Sequence, residues 1–150
     1  MMTKGLAIVA LAPVLALPLP AMAAEDAPPP AGPQELTIGA RVYSKSCAIC
    51  HGDNLEGQPN WRQINEFGRL PAPPHNARGH TWHHDDATLF GITKLGTAKF
   101  TGLDIESDMP AFEDILSDEQ IWAVLAYIKS RWPERIRRQQ ESINRRAASQ

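Results

Sequence analysis

Cysteine is scarce in this chain: 150 residues contain two, Cys47 and Cys50. A disulfide closing so short a loop would constrain the unfolded chain little, so a framework of cross-links is excluded as the source of stability. Methionine is scarcer than its count of four suggests, because Met1, Met2 and Met22 all fall within the first 23 residues. Long apolar runs are lacking too, and the one near the start is too short and too interrupted by proline for a comfortable membrane span. Nor is there an excess of positive charge. With 15 Lys and Arg against 17 Asp and Glu the net charge is −2, which argues against a phosphate backbone and hence against nucleic acid as a partner. No internal repeat is visible, and the length admits one core, excluding an enzyme with separate cofactor and substrate domains. At 43% hydrophobic residues the chain is too apolar for wholesale disorder.

What is present falls into four stretches. Residues 1–23 read as an export leader: Lys4 gives a minimal positive start, 5–17 an apolar stretch, and Pro18-Leu19-Pro20 a break before Ala21-Met22-Ala23. Cleavage is expected after Ala23, with a periplasmic destination. Seven of the 13 prolines lie in residues 1–33, and 24–34 reads as an extended Pro-rich linker. A single domain is expected over 35–132. There, Leu36, Ala40, Tyr43 and Cys47 fall at helical spacing, predicting an amphipathic helix over 34–46. Gly39 weakens that helix by ~1 kcal/mol relative to Ala, which a close helix crossing would explain. Residues 52–84 show little periodicity and would have nothing to pack on unless a ligand filled the middle. Asp85 or Asp86 can cap a short helix over 87–94, with Gly96 near its end. Ser117 and Gln120 form a capping box opening a helix with the stripe Ile121, Val124, Leu125 and Ile128, ended by Pro133. The stretch 133–150 is Arg-rich and polar and reads as a frayed, solubilising tail. Six Arg against two Glu give 131–150 a charge of +4, whereas 24–130 carries −7.

The chemistry concentrates in Cys47-Ala48-Ile49-Cys50-His51, the C-x-x-C-H attachment pattern of c-type haem. On a helical turn Cys47 and Cys50 share a face where two sulfurs can take the two vinyl groups of one haem, and His51 is directed at the iron. A dithiol redox site and a zinc site are the alternatives. The strand pattern of the first is absent, and no second Cys pair supplies the second. Met109 is the only thioether outside residues 1–23. It precedes Pro110 in a loop, where backbone rigidity can hold the sulfur against the iron as a second axial ligand.

These residues resemble class I mono-haem bacterial cytochromes c. The resemblance covers about 35–132 and rests on Cys-Ala-Ile-Cys-His, on Met109-Pro110-Ala111-Phe112 about sixty residues later, and on the closing helix. It implies an all-α fold of three to five helices with long loops wrapped around one covalently bound haem. It further implies thioether bonds at Cys47 and Cys50, axial ligation by His51 and Met109, and a close crossing of the first and last helices with Gly39 and Tyr127 at their contact. The long His80-Thr81-Trp82-His83-His84 loop and the Arg-rich tail depart from the pattern.

With imidazole and thioether on the iron no site is open to substrate, and the thioether favours the ferrous state. The expected function is single-electron transfer between periplasmic or membrane-bound redox proteins by transient docking. The expected carrier is a monomer with no substrate chemistry and no small-molecule substrate. The rivals are an electron-accepting haem subunit of an exported dehydrogenase or oxidase complex, and a haem enzyme or sensor with a labile Met109. Pro59 is expected to offer the carbonyl that orients His51. His80 and His84 invite a copper or zinc reading, but a solvated loop, or Trp61 or Trp82 reaching the haem propionates, is the plainer expectation. Trp122 and Trp132 read as packing residues. Asp104, Glu106 and Asp108 form an acidic run able to steer a basic partner.

Overall fold

The computed structural model describes residues 31–103 and 106–150. The leader, most of the Pro-rich linker and Asp104 lie outside the described residues. Helix α1 (Pro33–Val42) opens with proline at its first turn, where the missing N–H costs nothing, and Glu35 faces the positive end of the helix dipole. The helical path runs on into the cysteines as the sequence predicts, but not as unbroken α-helix. A π-helical turn (Tyr43–Cys47) carries the chain directly into α2 (Ala48–His51), which Gly52 terminates in a left-handed conformation at φ +80°. The cysteine motif therefore rides on the end of the first helix.

Helix α3 (Asp86–Leu95) is capped by Asp85, whose carboxylate accepts from the Thr88 backbone N–H and hydroxyl at 2.9 and 2.7 Å. A short helix α4 (Thr97–Thr101) follows at once, and sequence reading missed it. A Cβ on Gly91 would come within 2.1 Å of the Phe100 ring, so that glycine lets α4 fold back on α3. Helix α5 (Asp118–Ser130) begins with the expected Ser117 and Gln120 capping box and buries Ile121, Val124, Leu125 and Ile128 as the stripe requires. All regular elements among the described residues are helical, as the all-α expectation has it.

The core forms where α1 crosses α5. A Cβ on Gly39 would lie 2.0 Å from the Ala123 carbonyl oxygen and 2.8 Å from the Tyr127 Cβ, so the two backbones approach as only glycine allows. Val42, Tyr43, Ala48 and Leu55 pack there against Val124, Ile128, Trp132 and Ile136, while Leu89, Ile121 and Leu125 make a second cluster. Trp132 is buried as expected. Trp122 is largely exposed, its ring stacked on Phe90 with centroids 4.5 Å apart.

The Arg-rich stretch is not a frayed tail. It forms helix α6 (Glu134–Ala148), with Ile136 and Gln140 buried against the body. Gln140, at 0% exposure, donates from Nε2 to the His84 carbonyl at 3.3 Å and to Asp86 Oδ1 at 2.7 Å. Asn144 Nδ2 donates to Asp86 Oδ2 at 3.0 Å, and Lys129 reaches the same carboxylate at 2.6 Å. Hydropathy misses this docking because the inward stripe at 136, 140 and 144 is one isoleucine followed by two polar amides, and a buried polar side chain with its partners in place is stable.

Two outcomes follow from these contacts. Gly39→Ala should destabilise the holoprotein by at least about 3 kcal/mol in chemical denaturation, because the obstructing atom is a helix carbonyl. Burial pushes the Asp85 carboxyl up, but the Thr88 hydrogen bonds outweigh it and hold the group below its ordinary value. Its capping contribution is therefore present above the unfolded-state pKa and lost as pH falls through the lower folded-state value. Asp85→Ala should cost about 1 kcal/mol at neutral pH, and the gap from wild type should close in acid, as followed by denaturation midpoints across pH.

Candidate functional site

His51 stands at the last position of α2, buried, with its ring constrained from several directions. Its Nδ1 lies 2.8 Å from the Pro73 carbonyl oxygen, which can only accept, so Nδ1 carries the proton and Nε2 keeps the lone pair. The expected acceptor was Pro59, and Pro73 takes that place. Pro73 precedes Pro74, which confines it to extended backbone and fixes where its carbonyl points. Burial lowers the His51 pKa, against a smaller opposing effect of the Pro73 bond, and this favours the neutral ring that a metal requires.

The backbone around His51 is fixed as firmly. The buried Tyr43 hydroxyl donates to the Gly52 carbonyl at 2.9 Å and approaches the His51 carbonyl at 3.4 Å. Gly57 N–H donates to the His51 carbonyl at 2.8 Å. Gly57 has φ +70°, and a Cβ there would come within 2.4 Å of the Pro74 nitrogen, so glycine lets the descending loop lie against the returning one. The His75 ring stacks on His51 with centroids 3.8 Å apart and planes 18° apart. Tyr43, Pro73 and His75 are site residues that sequence reading did not assign; the Pro71-Ala72-Pro73-Pro74 run was the available signal for the first carbonyl.

Cys47 and Cys50 stand at the ends of the same turn, not joined to each other, Cys47 half-buried and Cys50 exposed. Before attachment of a haem, burial first and then the neighbouring Cys50 push the Cys47 thiol up to about 11. Met109 lies apart in sequence, half-buried in the stretch between α4 and α5, with its N–H donated to Ser107 Oγ at 3.2 Å. One ion-pair cluster joins that stretch to the loop bearing Pro73: Arg69 pairs with both Glu106 and Asp108. Two carboxylates of the acidic run are therefore engaged within the chain.

The residues fit a covalently held haem. Two cysteines not bridged to each other precede an imidazole whose tautomer leaves Nε2 free. Large apolar side chains are uncovered: Ile49, at 89% exposure, between the cysteines, then Ile64, Phe67 and Leu70 in the first loop, and Leu103 and Ile115 six positions before and after Met109. Trp82 Nε1 is a buried donor with no acceptor among the described residues. A macrocycle with an apolar body and carboxylate edges suits both features. The histidine loop makes no comparable case: His80 and His84 have ring centroids 5.7 Å apart, and no group of three or more potential ligands occurs among the described residues. Trp61 carries the Arg62 guanidinium over its ring at 3.9 Å.

Comparison with known proteins agrees with this arrangement. The family model for cytochrome c matches residues 36–132, and the chain belongs to that family. It carries one covalently bound c-type haem, attached through Cys47 and Cys50, and its fold is the all-helical one of that class. The chain is 31% identical over 114 residues to a thiosulfate dehydrogenase of Stutzerimonas stutzeri (strain A1501), covering 75% of this chain and 32% of that protein. It is 30% identical over 96 residues to the Cbb3-type cytochrome c oxidase subunit FixP of Bradyrhizobium sp. (strain ORS 278), covering 64% of this chain and 27% of that one. The chain thus spans about a third or less of the length of these relatives. No solved structure matches. Helix α6 lies beyond the family match. No helix among the described residues is long and apolar enough to cross a membrane.

Proposed function

We propose that the chain is an exported single-electron carrier of the periplasm, with His51 and Met109 as axial ligands and no substrate chemistry of its own. The observation that carries this reading is the setting of His51: a buried, neutral imidazole with Nδ1 committed to Pro73 and Nε2 alone available to a metal. Met109 is supported by elimination, as the sole thioether outside residues 1–23, and by its half-buried place before Pro110. When bound, the haem supplies a one-electron couple, and thioether ligation favours its reduced form. The residues of the chain hold that couple rigid. Tyr43 and Gly57 anchor the His51 carbonyl, Pro73 aims the ring, and Arg69 fastens the Met109 stretch to the first loop. Small reorganisation on each electron transfer is the expected benefit of such preorganisation.

Docking charge is better sought on α6 than on the acidic run, two of whose carboxylates pair with Arg69. Arg135, Arg138, Arg145 and Arg146 are exposed on α6, and among the described residues Arg138 alone of these has an ion-pair partner, Glu134. Such a face suits an acidic redox partner. A second reading, an electron-accepting haem segment of a larger dehydrogenase or oxidase assembly, is favoured by the names of the two relatives and by the share of them that the chain spans. Purification with a tightly held partner would distinguish it from a free carrier.

Redox-monitored visible spectroscopy of the holoprotein tests the ligand set. Wild type should show iron–sulfur absorption and fail to bind carbon monoxide at neutral pH. Met109→Ala should abolish that absorption, admit carbon monoxide and lower the potential; an unchanged spectrum removes Met109 from the site. Electron exchange with an acidic redox protein should slow as salt rises. Reversing Arg135, Arg138 and Arg145 to Glu should cut the low-salt rate roughly tenfold and flatten the salt profile in stopped-flow measurements.

A further inference from the structure

We infer that His75 is a positioning residue for the axial imidazole, its ring face setting the plane in which His51 meets the iron. The inference rests on His51 as an iron ligand and concerns what fixes its orientation. The hydrogen bond to Pro73 determines where Nδ1 points. One bond of this kind resists rocking of the ring about the Nδ1–oxygen line only weakly, since acceptor geometry at a carbonyl is broad. A flat face at van der Waals distance resists that motion directly. His75 supplies one, with centroids 3.8 Å and planes 18° apart.

The stacking ring is itself immobilised. Its backbone N–H donates to the Leu55 carbonyl at 2.9 Å, and its carbonyl accepts from the Trp132 indole at 2.6 Å. The Tyr43 ring meets it edge-on at 6.0 Å and 66°. His75 Nδ1 is buried with no hydrogen-bond partner among the described residues, so that nitrogen does not orient the side chain. Packing against His51 and Tyr43 does. Trp132 and Tyr43 both belong to the core at the α1–α5 crossing, so the ring's placement is inherited from that core. An aliphatic side chain at 75 would fill the space without offering a plane.

The test compares holoprotein variants in which the plane is lost or kept: His75→Leu and His75→Met remove it, and His75→Phe retains it. The readouts are the low-temperature paramagnetic resonance g-values of the ferric form and the pattern of its hyperfine-shifted haem methyl signals, both of which report the azimuth of the axial imidazole. The Leu and Met variants should shift the g-values and redistribute the methyl signals while keeping the iron–sulfur absorption, and the Phe variant should stay close to wild type. Leu and Met spectra superimposable on wild type would overturn the inference with the ligand reading intact, as would a Phe variant displaced as far as Leu. A wild-type spectrum lacking an axial nitrogen would instead overturn the ligand reading and this inference with it. If the Leu variant does not mature, the Met variant decides.

Discussion

The structure depends on how closely α1 and α5 approach at Gly39. A carbonyl oxygen of α5 occupies the volume that any side chain at this position would need, and the crossing point is therefore fixed to within a fraction of an ångström. Four residues on from Gly39, in the π-helical turn, Tyr43 enters the core; nine on from Ala123, just past the end of α5, Trp132 does. The first holds the carbonyls at the end of the haem-binding turn and the second holds the backbone of the residue stacked on it. The geometry at His51 is thus a consequence of helix packing more than of anything within the motif.

Much of this was legible in the sequence because the signals were local. The Cys47–His51 spacing is read within five residues, the Ser117–Gln120 box within four, and Asp85 and Gly96 mark the ends of α3 by their own conformational preferences. Gly39 and Tyr127 came from family resemblance, and their contact is where the resemblance implied. What escaped was non-local or polar. Pro59 and Pro73 are equally good carbonyl acceptors to the eye, and only the fold of the loop decides between them. His75 gave no sign of stacking, because ring proximity across a gap of 24 positions has no periodic trace. Helix α6 escaped because its inward stripe includes Gln140 and Asn144, which any hydropathy scale assigns to solvent.

Helix α6 also changes how charge is distributed. As a disordered tail its arginines would form a diffuse cloud; on a docked helix they have fixed positions relative to the body. The anchor is one carboxylate, Asp86, which joins the first turn of α3, Lys129 of α5 and the Gln140 and Asn144 amides of α6. The basic surface is in this way mechanically continuous with the helices that build the haem site.

The first loop divides its labour. Gln58 N–H meets the Ala72 carbonyl at 2.8 Å, and the Ala72 N–H returns to the Gln58 side chain at 2.8 Å, closing a neck below a tip that carries Ile64, Phe67 and Arg69. Everything that orients His51 lies on the near side of that neck, whereas Arg69, on the far side, leads to the Met109 stretch. Diversification of the tip, in length or in composition, is accordingly insulated from the His51 imidazole and transmitted to the stretch that bears Met109. A lineage drifting at this loop would remodel the Met109 stretch while inheriting the setting of His51 unaltered.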